Sequence, residues 1–277
     1  MRNFVSIMLL GLAITACDEN LTYAQHEDYV GTPPVSLNCQ PNLDGQIDLA
    51  ELTLPLGVLA SYRVSPPGET RSVDLVGELL DGLQVWDWSA DQTTDQHAEL
   101  GVIDISTRWY AKHFDSAAFA VAVDAASRLE AIYIAGEDAL YLLGFGSQEE
   151  APTEGQTRLI FEEAVEFYRF PLKPGMAWQS MGEVLNGSYL GSPFAARYDY
   201  DFNVEAMGEL HLPDVSFTQA HLVHQALTIT PLVGPITVQR QASFLFECFG
   251  EVARATSHID ESEQHFTEAA EVRVMGL

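Results

Sequence analysis

The chain is predicted to be all-β, an antiparallel barrel or sandwich built as one or two β halves, and three observations carry that prediction. From Leu52 onward, short runs rich in β-branched and aromatic residues alternate with clusters of Gly, Pro, Asp and Asn, the pattern of strands and turns. Tyr198, Tyr200, Phe202, Val204 and Ala206 alternate with Asp199, Asp201, Asn203 and Glu205, a period of two that belongs to an antiparallel strand with one wet face. Residues 129–134 and 139–145 flank Gly136-Glu137-Asp138, the layout of a hairpin.

Taken in order, strands are expected at 54–64, 72–76, 83–89, 99–106, 119–123, 129–134 and 139–145. After a charged break at 148–156 they resume at 159–161, 165–170, 177–184, 196–206, 215–229, 237–246, 252–257 and 266–274. That density suggests eight or more strands in each of two halves, 53–148 and 157–277. No repeat of 20 to 50 residues is present, which removes a propeller or solenoid.

The 277 residues carry 13 Lys and Arg against 40 Asp and Glu, a net charge of -27. With only Lys112 and Lys173 as lysines there is no basic stripe to displace counterions from phosphates, so nucleic acid is excluded as a partner, and an anionic lipid surface is disfavoured for the same reason. Residues 1–16 combine Arg2 with an apolar run too short to span a bilayer, as an export signal does. The following Ile14-Thr15-Ala16-Cys17 resembles the lipobox of bacterial lipoproteins, which implies acylation of Cys17. The competing cut lies after Ala24. Residues 17–37 are polar, contain Pro33-Pro34 and form the expected tether. An exported chain held in the bacterial envelope follows, at the outer membrane or cell surface rather than the inner membrane, anchored by its N-terminal lipid.

With Cys17 lipidated, Cys39 and Cys248 make an even pair in an oxidising compartment and are expected to be bonded. The chain-entropy model assigns about 5 kcal/mol to closing so long a loop. Between them, residues 40–51 resemble an EF-hand or dockerin calcium loop. The resemblance makes Asn42, Asp44, Gln46 (through its carbonyl), Asp48 and Glu51 candidate calcium ligands, with Gly45 at the sharp turn and Ile47 as the apolar pin. Gln40 stands where an aspartate usually opens such a loop, so the affinity expected is roughly 10⁻⁴ to 10⁻³ M. The alternative is an empty Asx turn around Asp44-Gly45. No other cofactor is implied.

His221 and His224 lie three apart in a strand-like run and therefore face opposite sides, which does not make a metal pair. His97, His113, His211, His258 and His265 show no ligand spacing. Trp86 and Trp88 share a strand face and are read as core. Asp199, Asp201 and Glu205 are read as a solvated acidic face, since a glycosidase needs two carboxylates facing across a cleft. HExxH, GxSxG, phosphate-loop and CxxC patterns are missing from the sequence.

The segments 44–52, 62–64, 86–87, 170–172 with Gly175 and Trp178, and 246–252 together resemble a group of predicted lipoproteins from myxobacteria and their relatives, to which no activity is attached. Residues 170–178 with the long strands after them are also similar to envelope lipoprotein carriers whose curved half-barrel holds acyl chains. The expectation is thus an exported, lipid-anchored, non-enzymatic surface protein with a candidate calcium loop. An apolar-ligand binder is the alternative and an unrecognised hydrolase the third reading. Its partner, a protein or a lipid, is not specified by sequence.

Overall fold

The computed structural model describes residues 39–52, 56–124 and 128–276. The leader, Cys17 and the tether 17–37 lie outside the described residues. A single-turn helix α1 (Leu49–Leu52) is followed by β1 (Leu59–Val64) in the main wall, then by three short strands added to it: β2 (Arg71–Ser72), β3 (Glu78–Leu80) and β4 (Leu83–Asp87). The wall continues with β5 (Gln96–Asp104), β6 (Phe119–Ala122), β7 (Leu129–Ala135), β8 (Ala139–Ser147), β9 (Arg158–Arg169), β10 (Ala177–Tyr189), β11 (Ser192–His211), β12 (Ser216–Pro231), β13 (Thr237–Phe246), β14 (Gly250–Ser257) and β15 (Glu268–Met275).

Twelve strands close an antiparallel barrel: β1 pairs with β5, each strand from β5 to β15 pairs with the next, and β15 returns to β1. β11 is the hinge of the closure. Its first half pairs with β10 from Tyr189↔Ser192 to Ala177↔Asn203, and its last residues pair in parallel with β4 along the same edge. The all-β prediction holds in its barrel form, and the sheet runs through the charged break 148–156 because β8 pairs with β9.

Three differences from the expected strands have physical causes. Residues 159–161 and 165–170 form one strand, β9, which reduces the second half to seven strands. Glu78–Leu80 pairs with β4 although its side chains are all exposed and carry no alternation. A bulge between Val204 and Ala206 makes Glu205 the extra residue, so Ala206 leaves the face of Val204 and packs outside with Leu222 and Phe244. A one-residue slip reverses every later side chain.

The barrel interior is aromatic on one side, where Trp178 stacks on Phe202 at 4.9 Å and Phe167, Tyr168, Tyr198 and Tyr200 fill the adjoining space. Outside, Trp86 and Trp88 both meet Phe244 edge-on, at 5.0 and 5.1 Å, so the two indoles share a face and are core as expected. A second outer patch is covered by residues 105–118. There Arg108 forks onto the fully buried Glu130, which also accepts from the Tyr110 hydroxyl at 2.6 Å.

Residues 39–52 lie against one end of the barrel as a plug. Cys39 is bonded to Cys248 in the β13–β14 turn across 209 residues. Ile47 exchanges backbone hydrogen bonds with Leu172 beside the β9–β10 turn, at 2.9 and 2.8 Å. Gly45, at φ 87°, turns the chain between these two anchors, a conformation that suits glycine. The staple therefore holds a segment with little secondary structure of its own. Reducing the disulfide, or replacing both cysteines by Ala, is expected to lower the urea unfolding midpoint, with about 5 kcal/mol as the ceiling. An unchanged midpoint would contradict the plug's role.

Candidate functional site

Inside the barrel, between the aromatic filling and strands β13–β15, lies a cavity of about 250 Å³. Its walls are Phe119, Val121, Leu140, Leu142, Phe145, Phe167, Leu227 and Leu245, and Leu49 and Leu52 of the plug line it as well. Eight strands make an interior that side chains just fill, and twelve make a wider one. The three tyrosines at its edge, Tyr133, Tyr168 and Tyr200, are raised well above the ordinary phenol range, first by burial, so they present neutral hydroxyls.

One pole of the cavity is polar. Arg254 and Arg273 are directly opposed on β14 and β15 and both point inward, with Gln225, Gln239, Gln241 and Glu251. Arg273 donates to Glu251 through Nε at 2.9 Å and through Nη2, and its guanidinium lies 5.7 Å from the Tyr62 ring centroid. Ser243 donates to the other Glu251 oxygen at 2.8 Å. Arg254 donates to the Val123 carbonyl at 2.6 Å and to Glu271 at 3.1 Å. Burial pushes the Glu251 carboxyl up, yet the charges of Arg273 and Arg254 outweigh it and hold it below the usual carboxylate range. Two N–H groups stay without a hydrogen-bond partner among the described residues, Arg273 Nη1 and Arg254 Nε, although the side chains are only 7% and 10% exposed. The Arg254 nitrogen lies 3.8 Å from Glu251, close enough for attraction and too far for a hydrogen bond.

The predicted calcium residues sit in the plug. Asn42 Oδ1 accepts from the Asp44 amide at 2.8 Å, Asp44 accepts from the Gln46 amide at 3.1 Å, and Glu51 accepts from the Asp48 amide and the Asn42 side-chain amide, both at 2.8 Å. Burial first, then the charges of Glu247, Asp48 and Asp44, raise the Glu51 carboxyl despite the Asp48 amide bond. Among the described residues Asp44, Asp48 and Glu51 do not bring three carboxylates within 4.8 Å of one another. Glu247, which sequence reasoning missed, reaches the same loop from the β13–β14 turn: it is buried and accepts from the Asn42 and Leu43 amides at 2.6 and 2.9 Å.

His221 and His224 face opposite sides of β12 as expected. His221 lies 3.3 Å from the Gly45 carbonyl of the plug, while His224 points outward to Glu205 and His265. Glu205, expected on a solvated acidic face, is only 31% exposed at its side chain because the bulge turns it toward these imidazoles. Asp199 and Asp201 stay on the wet face, paired with Arg197 and Gln179. With Glu162, Glu163 and Glu183 also exposed on β9 and β10, this stretch of the outer wall is unlike the apolar band of a membrane barrel. Comparison with protein families, with curated proteins and with solved structures returns no match.

Arg273→Met leaves Glu251 buried with one charge partner fewer and is expected to cost about 3 to 5 kcal/mol in urea unfolding. The double variant Glu251→Gln/Arg273→Met is expected to recover most of that loss. Strictly additive losses would show that the pair is not coupled.

Proposed function

We propose that this chain is an exported, lipid-anchored protein that binds an amphipathic apolar ligand inside its barrel. Acylated Cys17 and the tether 17–37 would hold the barrel at the envelope, and a disulfide-stapled plug is in keeping with an oxidising compartment. The observation that carries the reading is the cavity of about 250 Å³. It is larger than the roughly 150 Å³ apolar cavities that take up benzene, and it combines aliphatic walls with one polar pole. An alkyl chain would occupy the space between Leu142, Phe145 and Leu227, and an acceptor on its end would satisfy the unpartnered N–H of Arg273.

Binding fits this pole better than catalysis. Glu251 is held ionised by two guanidiniums and Ser243 donates to it, so neither is poised as a base or a nucleophile. The reading is tested by stripping bound lipid from the folded barrel and titrating it with a fluorescent medium-chain fatty acid. Saturable binding of one probe per chain is expected, and Leu227→Trp, which fills the cavity, is expected to weaken it at least tenfold with the circular dichroism spectrum unchanged. Absence of binding to the stripped, folded protein, or equal affinity in the filled variant, would overturn it.

A further inference from the structure

On the opposite face of the same wall, we propose that Glu205, His224 and His265 form a binding site for a borderline divalent transition metal such as zinc. The three residues come from the β11 bulge, from β12 and from the β14–β15 connection, and one ligand atom of each lies within 4.8 Å of the others. Both imidazole Nε2 atoms converge on the carboxylate. His265 Nε2 is 2.8 Å from Glu205 Oε2 and 3.0 Å from Oε1, and His224 Nε2 is 2.9 Å from Oε2.

A carboxylate taking two imidazole protons would explain that convergence if both nitrogens were aimed at it. His224 is not. Its side chain is 94% buried, since only 6% is exposed, and its Nε2, 2.9 Å from Glu205 Oε2, makes a close charge contact but no well-directed hydrogen bond. The carboxylate is already served by His265 and by Gln264, which donates at 2.9 Å. What remains is a buried imidazole nitrogen within 4.8 Å of two further metal-ligating groups.

The chemistry of the set selects the ion. Two nitrogens and one carboxylate oxygen form a three-ligand zinc set with an open fourth position. Zinc bonds of about 2.0 to 2.1 Å place tetrahedral ligands roughly 3.3 Å apart, so the two nitrogen–oxygen distances of 2.8 and 2.9 Å each need to open by about half an ångström. Glu205 and His265 are 31% and 40% exposed at their side chains, which leaves a path for the ion and room for a water as fourth ligand. The net charge of -27 adds a general attraction for cations. A hard ion such as calcium prefers all-oxygen sites and is disfavoured here.

The test is isothermal titration of the tag-free oxidised protein with zinc alone, repeated with calcium, together with the visible spectrum after cobalt(II) is added. One equivalent of zinc binding at micromolar affinity or tighter, a tetrahedral cobalt band, and no calcium heat that competes with zinc are expected. His265→Ala removes a half-exposed loop side chain and is expected to weaken zinc at least 100-fold with the thermal midpoint of the metal-free protein unchanged. Glu205→Gln is expected to weaken it as well. No zinc binding by the wild-type chain, or full affinity retained in His265→Ala, would overturn the assignment and leave the trio as a hydrogen-bonded carboxylate.

Discussion

A sheet of twelve strands that closes on itself encloses more space than one layer of inward side chains fills, and much else in this molecule answers that constraint. Trp178, Tyr198, Tyr200 and Phe202 fill one side with rings. The plug lies against one end and adds Ile47 and Leu52 to the same interior cluster. What neither fills is the cavity beside Arg254 and Arg273. The closure depends on β11, long enough at 20 residues to pair with β10 along its first half and with β4 through its last three residues.

The polar pole shows how charge can be kept inside such a barrel. An isolated guanidinium or carboxylate would be expelled from an apolar interior at a cost of several kcal/mol. Here Arg273 and Arg254 surround Glu251, Ser243 and Glu271 complete the network, and the carboxyl is kept ionised. The match is incomplete at two guanidinium N–H groups. That residual demand, at the end of an apolar cavity, gives the site its amphipathic character.

Local features were legible in the sequence and long-range ones were not. The alternation Tyr198 to Val204 and the hairpin around Gly136 report strand geometry directly. The bulge at Glu205 is a one-residue slip that leaves no trace in composition, so strict alternation puts Ala206 on the wrong face and Glu205 in solvent. Arg254 and Arg273 were hidden by the rule that charged positions of a strand face water. On β14 and β15 the faces are exchanged: Val272 and Val274 point outward under Trp88 while the arginines point in. Glu247 and His265 lie in turns and loops far in sequence from the plug and from His224, and no spacing connects them. The pairing of Cys39 with Cys248 is readable as an expectation because they are the one pair left once Cys17 is set aside, and the structure shows the bond.

The central claim is that the interior holds a ligand, and native mass spectrometry of the protein extracted from membranes tests it most directly. The account predicts a mass above that of the covalently anchored chain by one amphipathic lipid, held without a bond and released when the protein is unfolded. A chain found at its covalent mass alone, in preparations never exposed to organic solvent, would contradict it.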